Sequence, residues 1–451
     1  MASLLVRGAD VLVTMDDARR EIAGGWLRAE DGVVVAVGGP GDPEERAAAD
    51  AVTEAAGCVV TPGLVNTHHH LFQSLVRAVP GGQDALLFGW LKSLYPIFAR
   101  MGPEDIQAAV TLGLAELALS GCTCAADHQY IFPNGAQLDH SIEAAGRVGI
   151  RFHATRGAMS IGESAGGLPP DFLTEREPAI LADMERVVDA FHDPSPGAMV
   201  RVGLAPCSPF TVSTGLMRDA AVMARAKGVM LHTHLAENDE DVEYSLEHYG
   251  CRPGQYAEEL GWTGEDVWHA HCVKLDAGEI DLFARTGTGI AHCPSSNCRL
   301  GSGIAPLRAL VDARVKLGLG VDGSASNDAA HLLLEARQAM LLQRVANGAD
   351  AFGAREALEI ATRGGAAVLG RDDLGSLAPG KRADFALWDM SGLPAAGLWD
   401  PVAGLVLSGP FAPKALYVEG RPVVTDGRLA LLEERVVAER LRARAAGLAG
   451  A

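Results

Sequence analysis

Short apolar runs recur through the middle of the chain, and most of them are separated by stretches whose apolar residues recur at helical spacing. Pro103–Leu119 has this spacing and is followed by Gly121, a residue typical of helix C-termini. Asp328–Val345 is a second predicted helix, because an Asn-Asp pair of the kind that caps helices stands at its start. The eight apolar runs predict strands at Val59–His70, Cys122–Gln129, Ile150–Arg156, Met199–Pro206, Val229–Glu237, Val267–Val273, Thr288–Cys293 and Val315–Asp322.

The two ends of the chain carry a different pattern, in which strand-like runs are bounded by Gly, Pro or Asp. Neither end alone has enough strands for a stable sheet, so we expect the two ends to pair. The predicted end strands are Ala9–Met15, Trp26–Ala29, Val33–Gly38, Ala383–Trp388, Pro413–Val418 and Arg421–Val424.

Eight strands with interposed helices predict an α/β protein with a (β/α)8 TIM-type barrel, and the two ends add a small β-sandwich domain. We expect the barrel at residues 62–365 and the β domain at 1–61 and 366–451. A doubly wound open sheet is the alternative. A doubly wound sheet of the nucleotide-binding type has a Gly-rich phosphate-binding turn after its first strand, whereas this chain has His68, His69 and His70 at that place.

Composition narrows the class of protein. The 451 residues carry a formal net charge of -19, which argues against nucleic acid as a ligand. The eight cysteines are dispersed without a C-x-x-C pair, as expected for reduced thiols in a cytoplasmic protein. The N-terminus does not resemble a signal peptide, and the longest apolar stretch is interrupted by Glu116 and Ser120. We therefore predict a cytoplasmic protein with neither a membrane nor a nucleic-acid partner.

Histidines and carboxylates are concentrated where the predicted strands end, which is the face of a barrel that carries chemistry. Imidazole and carboxylate together are the ligand set for Zn²⁺, Fe²⁺ or Mn²⁺. Strand alternation places His68 and His70 on one face and His69 on the other. Alternation does not decide between His232 and His234, nor between His269 and His271, because the members of each pair share a face.

Several motifs resemble the amidohydrolase superfamily, in particular its cytosine/guanine deaminase and chlorohydrolase branch. Pro62–His70 resembles that branch's P-G-hydrophobic-hydrophobic-N/D-x-H-x-H signature, and His232–Glu237 matches its H-x-H-L-A-E motif. Ala270-His271-Cys272 matches its histidine on strand six, and Leu319–Asn327 matches its aspartate on strand eight. The resemblance covers essentially the whole chain, including the closing run Gly375–Asp384.

Within that branch the chain most closely resembles 8-oxoguanine deaminases. The segments that carry this likeness are His70–Ala78, Leu87–Pro96, Asp127–Pro133 and Ala205–Phe210. Hydroxyatrazine-type aminohydrolases and triazine hydrolases share many of these segments, so the reaction type is better defined than the substrate.

The resemblance implies that His68, His70, His234 and Asp322 bind one divalent metal, with Zn²⁺ expected and Fe²⁺ as the alternative. It also implies that Asp322 acts as general base towards a water molecule. Glu237 would carry a proton to the ring nitrogen beside the attacked carbon and later to the leaving amine. His271 would orient the hydroxide and stabilise charge on the developing oxygen.

Four further residues are candidate substrate contacts. Gln73, three residues past His70, offers an amide to a purine edge, and Trp90 offers a stacking surface. Arg156 and Cys207 stand at the ends of the third and fourth predicted strands. For each of these side chains a purely structural role is the alternative.

The expected activity is metal-dependent hydrolytic deamination of an oxidised purine or related heterocycle, with 8-oxoguanine giving urate and ammonia as the best candidate. The alternatives are an isoxanthopterin or guanine deaminase, or a triazine-type amino- or chlorohydrolase that resembles hydroxyatrazine ethylaminohydrolase. A scaffold without activity is disfavoured because the whole ligand set is present together with Glu237 and His271. The resemblance also implies a homo-oligomer.

Overall fold

The computed structural model describes residues 3–450, and it contains a closed barrel and a separate sheet. The barrel strands are β6 to β13, in the order β10-β11-β12-β13-β6-β7-β8-β9, and every neighbouring pair is parallel. The strands are β1 Ser3–Val13, β2 Glu21–Glu30, β3 Val33–Gly38, β4 Ala51–Glu54, β5 Cys58–Pro62, β6 Leu64–Asn66, β7 Cys122–Gln129, β8 Arg151–Ala158, β9 Val200–Pro206, β10 Met230–Leu235, β11 Val267–His271, β12 Gly289–His292, β13 Lys316–Leu319, β14 Phe385–Asp389, β15 Pro413–Val418, β16 Arg421–Thr425 and β17 Arg428–Leu429.

Helices follow most of the barrel strands and cover the outside of the barrel, where their apolar faces pack on the strands. The α-helices are α1 Leu87–Phe98, α2 Pro103–Leu119, α3 Leu138–Val148, α4 Glu177–Phe191, α5 Thr214–Lys227, α6 Asp239–Tyr249, α7 Pro253–Glu259, α8 Ala277–Thr286, α9 Pro294–Arg299, α10 Leu307–Asp312, α11 Leu332–Asn347, α12 Ala354–Glu359, α13 Gly365–Val368, α14 Pro401–Leu407 and α15 Glu434–Ala449. The predicted fold class is confirmed.

Strands from both ends of the chain form one nine-stranded sheet, in the order β17-β16-β15-β14-β5-β1-β2-β3 with β4 paired to β1. The two ends meet where β14 pairs antiparallel with β5. A buried ion pair ties this sheet to the barrel, since Nε of Arg151 lies 2.7 Å from Oδ2 of Asp384. The limits 1–61, 62–365 and 366–451 stay a prediction, and α13 spans the predicted boundary at residue 365.

Two predicted elements differ from the structure. The run predicted as one strand, Val59–His70, is divided at Gly63 between β5 and β6, which lie in different sheets, and residues 67–70 lie beyond the end of β6. A Cβ at Gly63 would lie 2.1 Å from Oγ1 of Thr123, so only glycine allows this approach. The second predicted helix begins at Leu332 rather than Asp328, and the carboxylate of Asp328 accepts a hydrogen bond from the amide of Ala78 in a neighbouring loop instead of capping that helix.

Candidate metal and catalytic centre

The side chains predicted to bind metal converge at the carboxyl ends of the barrel strands. His68 and His70 follow β6, His234 lies on β10, and Asp322 follows β13. The barrel closes β13 onto β6, which brings Asp322 beside His68 and His70 although they lie 254 and 252 residues earlier in the chain. All four side chains are buried or nearly so, and Asp322 is 4% exposed.

Backbone carbonyl groups fix the protonation of two of these histidines. Nδ1 of His70 lies 2.7 Å from the carbonyl oxygen of His128, and Nδ1 of His234 lies 2.6 Å from that of Cys207. Because a carbonyl can only accept, both Nδ1 atoms carry the proton and donate it. In the neutral ring this leaves Nε2 with a bare lone pair, which is the form that binds a metal ion.

The bare nitrogen atoms point at one another. Nε2 of His70 lies 3.1 Å from Nε2 of His234, and Oδ1 of Asp322 lies 3.3 Å from Nε2 of His68 and 3.4 Å from Nε2 of His70. Lone pairs this close repel unless a cation lies between them. Nε2 of His68 is buried and has no hydrogen-bond partner. Ligands about 2.1 Å from a tetrahedral zinc ion would themselves be about 3.4 Å apart, so the donor set fits such an ion.

Asp322 has a strained backbone conformation, and its two carboxylate oxygens have different partners. Its φ is 63°, in the left-handed region that non-glycine residues rarely adopt. Oδ1 faces the histidines and accepts from the amide of Gly323, whereas Oδ2 accepts from Oγ of Ser326 at 3.3 Å and lies 3.8 Å from Nε2 of His271. Burial works in the opposite direction, but the surrounding histidines hold the pKa of Asp322 well below its usual value.

Glu237 and His271 face each other across the same space, with 3.6 Å between Oε2 and Nε2. Burial raises the pKa of Glu237 to about 7. For His271 burial alone would lower the pKa, but the carboxylates of Glu237 and Asp322 raise it above its usual value. Nδ1 of His271 donates to Oδ1 of Asn297 at 2.9 Å, so the ring presents Nε2 to both carboxylates. A buried acid titrating near neutral pH is suited to proton transfer.

A cavity with a mainly apolar lining surface opens above these groups. Its lining combines aromatic and aliphatic side chains with the polar groups of the candidate site. The lining residues are His70, Gln73, Leu87, Trp90, Leu91, Tyr95, Tyr130, Cys207, Ser208, Phe210, Thr211, His234, Glu237, His271, Leu300, Asp322 and Ser326.

Three of the four predicted substrate contacts line this cavity. Gln73 donates through Nε2 to the hydroxyl of Tyr130 at 3.3 Å, while its Oε1 is buried without a partner. Trp90 donates through Nε1 to the carbonyl of Ala325, which fixes its ring in the wall. Cys207 lies at the end of β9, where its carbonyl also holds His234.

Arg156 is the exception, and we correct that prediction. Its guanidinium is absent from the cavity lining and points towards the surrounding helices. Nε lies 2.8 Å from Oδ2 of Asp183, one terminal nitrogen lies 2.8 Å from Oε1 of Glu175, and the group stacks 3.8 Å from the centre of the Phe132 ring. A guanidinium with these partners has a structural role.

Several residues at the candidate site were missed from the sequence. Tyr130 directly follows β7, and Ser208 and Phe210 lie two and four residues after the end of β9, so the rule that barrel loops build the site could have indicated that they line the cavity. Tyr95 lies on α1 and Asn297 on α9, and no local pattern places either beside the site.

The chain matches the model of the amidohydrolase family over residues 59–423. It is 45% identical over 428 residues to the 8-oxoguanine deaminase of Pseudomonas aeruginosa, covering 94% of this chain and 95% of that protein. It is 39% identical to an isoxanthopterin deaminase from an unknown prokaryotic organism, covering 94% and 92%. The crystal structure of atrazine chlorohydrolase from Arthrobacter aurescens TC1, complexed with zinc, superposes with a TM-score of 0.92 at 34% identity and covers 99% of each chain.

The chain belongs to the amidohydrolase family. The predicted hydrolase acting on C–N bonds is thereby confirmed, and so is the predicted need for a divalent metal. Among residues 3–450, no helix is long and apolar enough to cross a membrane.

Proposed function

We propose that the protein hydrolytically deaminates an oxidised purine, and that 8-oxoguanine is converted to urate and ammonia. One observation carries the proposal: converging histidine nitrogens, a strongly acidic Asp322 and a Glu237 with a pKa of about 7 line one cavity. The 45% identity to an 8-oxoguanine deaminase over nearly the whole chain supports this substrate ahead of its alternatives.

In this proposal His68, His70, His234 and Asp322 hold one divalent cation, Zn²⁺ in preference to Fe²⁺. The zinc-complexed structural relative supports that choice of ion. When bound, the cation supplies the Lewis acidity that makes hydroxide available near neutral pH.

The protein's own residues move the protons. Oδ2 of Asp322, the oxygen turned away from His68 and His70, accepts a proton from the attacking water. Nε2 of His271 orients that water and stabilises negative charge on the oxygen as it bonds to the ring carbon. Protonated Glu237 first gives its proton to the neighbouring ring nitrogen, and it is then re-protonated by the water-derived proton that Asp322 holds. Glu237 passes this second proton to the departing amine, and the C–N bond breaks to release ammonia. The proton of the new hydroxyl group returns to Glu237 as the ring carbonyl forms, so both carboxyl groups end in their starting states.

Gln73 and the aromatic wall are proposed to read the substrate. The Oε1 atom of Gln73 is buried without a hydrogen-bond partner, so it is free to accept from an N–H group of the substrate, and 8-oxoguanine has such groups along its edges. Trp90 and Tyr130 cover the faces of the ring, and Cys207 completes the wall.

The test compares ammonia release from 8-oxoguanine, guanine and isoxanthopterin, and ethylamine release from hydroxyatrazine, by the purified, metal-loaded protein with each compound at equal concentration. We expect 8-oxoguanine to have the highest kcat/KM. Faster turnover of isoxanthopterin would refute 8-oxoguanine as the preferred substrate but would still support hydrolytic deamination as the reaction. No ammonia from any purine or pteridine would refute the proposal.

A triazine-type amino- or chlorohydrolase is the second candidate, favoured by the close superposition on atrazine chlorohydrolase. Release of ethylamine from hydroxyatrazine, or of chloride from atrazine, at low enzyme concentration would establish it. We also propose a cytoplasmic homo-oligomer, to be tested by cell fractionation and by the molar mass in solution.

A further inference from the structure

A histidine outside the proposed ligand set is joined to one member of that set. His232 lies on β10, two residues before His234, and is 1% exposed. Its Nδ1 lies 2.9 Å from the carbonyl oxygen of Trp268, and its Nε2 lies 2.8 Å from Nδ1 of His68. The His232 ring also stacks on the Trp268 ring, with 4.4 Å between the ring centres, so its orientation is fixed.

The carbonyl group of Trp268 determines which atoms donate and which accept in the two hydrogen bonds that link it to His232 and His68. The Trp268 oxygen can only accept, so Nδ1 of His232 carries the proton and donates it. Nε2 of neutral His232 is then an acceptor, and Nδ1 of His68 must donate to it. This leaves the buried Nε2 of His68 with a bare lone pair directed at Asp322.

His68 differs in this respect from the other two proposed histidine ligands. The Nδ1 atoms of His70 and His234 donate to backbone carbonyls, which no side-chain substitution removes. The metal-binding form of His68 depends instead on a side chain. We infer that His232 is a positioning residue that sets the tautomer and the orientation of His68 for metal binding.

This inference rests on the proposed metal site, and it is tested through metal affinity rather than activity. The variants are His232→Leu, which removes the acceptor, and His232→Gln, whose amide oxygen can still accept from Nδ1 of His68. His269→Leu is the matched control. His269 is a buried histidine on the adjacent strand β11, and its Nε2 interacts with the carbonyl of Trp262 rather than with a ligand.

The measurement is competition between the metal-free protein and a chromophoric chelator for Zn²⁺ and for Co²⁺. Loss of the outer partner of a ligating histidine typically weakens metal binding about 10- to 100-fold, and we expect this loss for His232→Leu. His232→Gln should stay within a few-fold of the unaltered protein, as should His269→Leu. Equal affinity of His232→Leu and the unaltered protein would overturn the inference, whereas no metal binding by the unaltered protein would overturn the proposed site itself.

A second measurement does not need His232→Leu and applies if that variant does not fold. Long-range ¹⁵N–¹H spectra of histidine-labelled, metal-loaded protein report which ring nitrogen carries the proton, and His232→Gln assigns the signals of the pair. We expect His68 and His232 both to carry it on Nδ1. A proton on Nε2 of His232, the atom that must accept, would overturn the inference.

Discussion

Replacing Glu237 by glutamine should reduce activity and, at the same time, stabilise the metal-free protein. The buried carboxyl has a pKa of about 7 against an ordinary value of 4.5, so the folded state holds its proton more tightly than the unfolded state does. The stability associated with that proton is complete below pH 4.5 and is lost as the pH rises through 7. A difference of about 2.5 pKa units corresponds to about 3 kcal/mol at pH 8.

The glutamine side chain stays neutral at every pH and avoids this loss. For a chain of this length about 3 kcal/mol corresponds to a Tm higher by about 3 °C. We therefore expect Glu237→Gln to melt about 3 °C above the unaltered protein at pH 8, with a much smaller difference at pH 5. Glu243→Gln is the matched control, because it makes the same chemical change on the exposed side of α6 and should alter neither Tm nor kcat.

The assay combines thermal melting of the metal-free proteins at the two pH values with kcat of the metal-loaded proteins. Loss of a group that transfers protons in the reaction typically lowers kcat about 10²- to 10⁴-fold. A variant with kcat within tenfold of the unaltered protein would refute the proton-transfer role. A variant less stable than the unaltered protein at pH 8, or with the same difference in Tm at both pH values, would refute the argument from burial.

Substitutions at three further residues test positioning, substrate recognition and structural stability separately. Asn297→Leu removes the acceptor that holds His271, and misplacement of that ring should lower kcat by up to about 100-fold. Asn297→Asp keeps an acceptor and should retain more activity. Equal kcat in the two variants would argue against a role of Asn297 in positioning His271. Gln73→Leu should raise KM about fivefold with a smaller change in kcat, as measured by steady-state kinetics, whereas an unchanged KM would remove Gln73 from the substrate contacts. Arg156→Leu should leave KM unchanged but destabilise the fold by about 3 kcal/mol, seen as a lower Tm, and a raised KM would restore it as a substrate contact.

The barrel was predictable because each strand is a short apolar run bounded by a helical pattern, and those signals are local. The exception is informative. The apolar run resumes directly after Pro62-Gly63, so it was interpreted as one strand although this pair is a local sign of a break. The close approach of Thr123 to Gly63 shows why a glycine stands where the chain passes from one sheet to the other. Similarly, Asp328 reads as a helix cap until the neighbouring loop that uses its carboxylate is known.

The candidate site was predictable from the family motifs and from the rule that chemistry in a barrel lies at the carboxyl ends of the strands. That rule assigns residues to one end of the barrel but does not say which way each side chain points, and so Arg156 was placed in the cavity although it faces the helices. Alternation left His232 and His234 equivalent. The fold separates them, because His234 meets His70 whereas His232 lies behind His68. Tyr95 reaches the cavity from a helix, which only tertiary packing can show.

The central claim is that water replaces the exocyclic amine of an oxidised purine at this site. The most direct measurement is the mass of the product formed from 8-oxoguanine by the metal-loaded protein in H₂¹⁸O, with ammonia determined in the same sample. The account predicts urate carrying one ¹⁸O atom and an equimolar amount of ammonia, with no reaction after the metal is removed. Urate without ¹⁸O, or no urate from a fully metal-loaded protein, would contradict it.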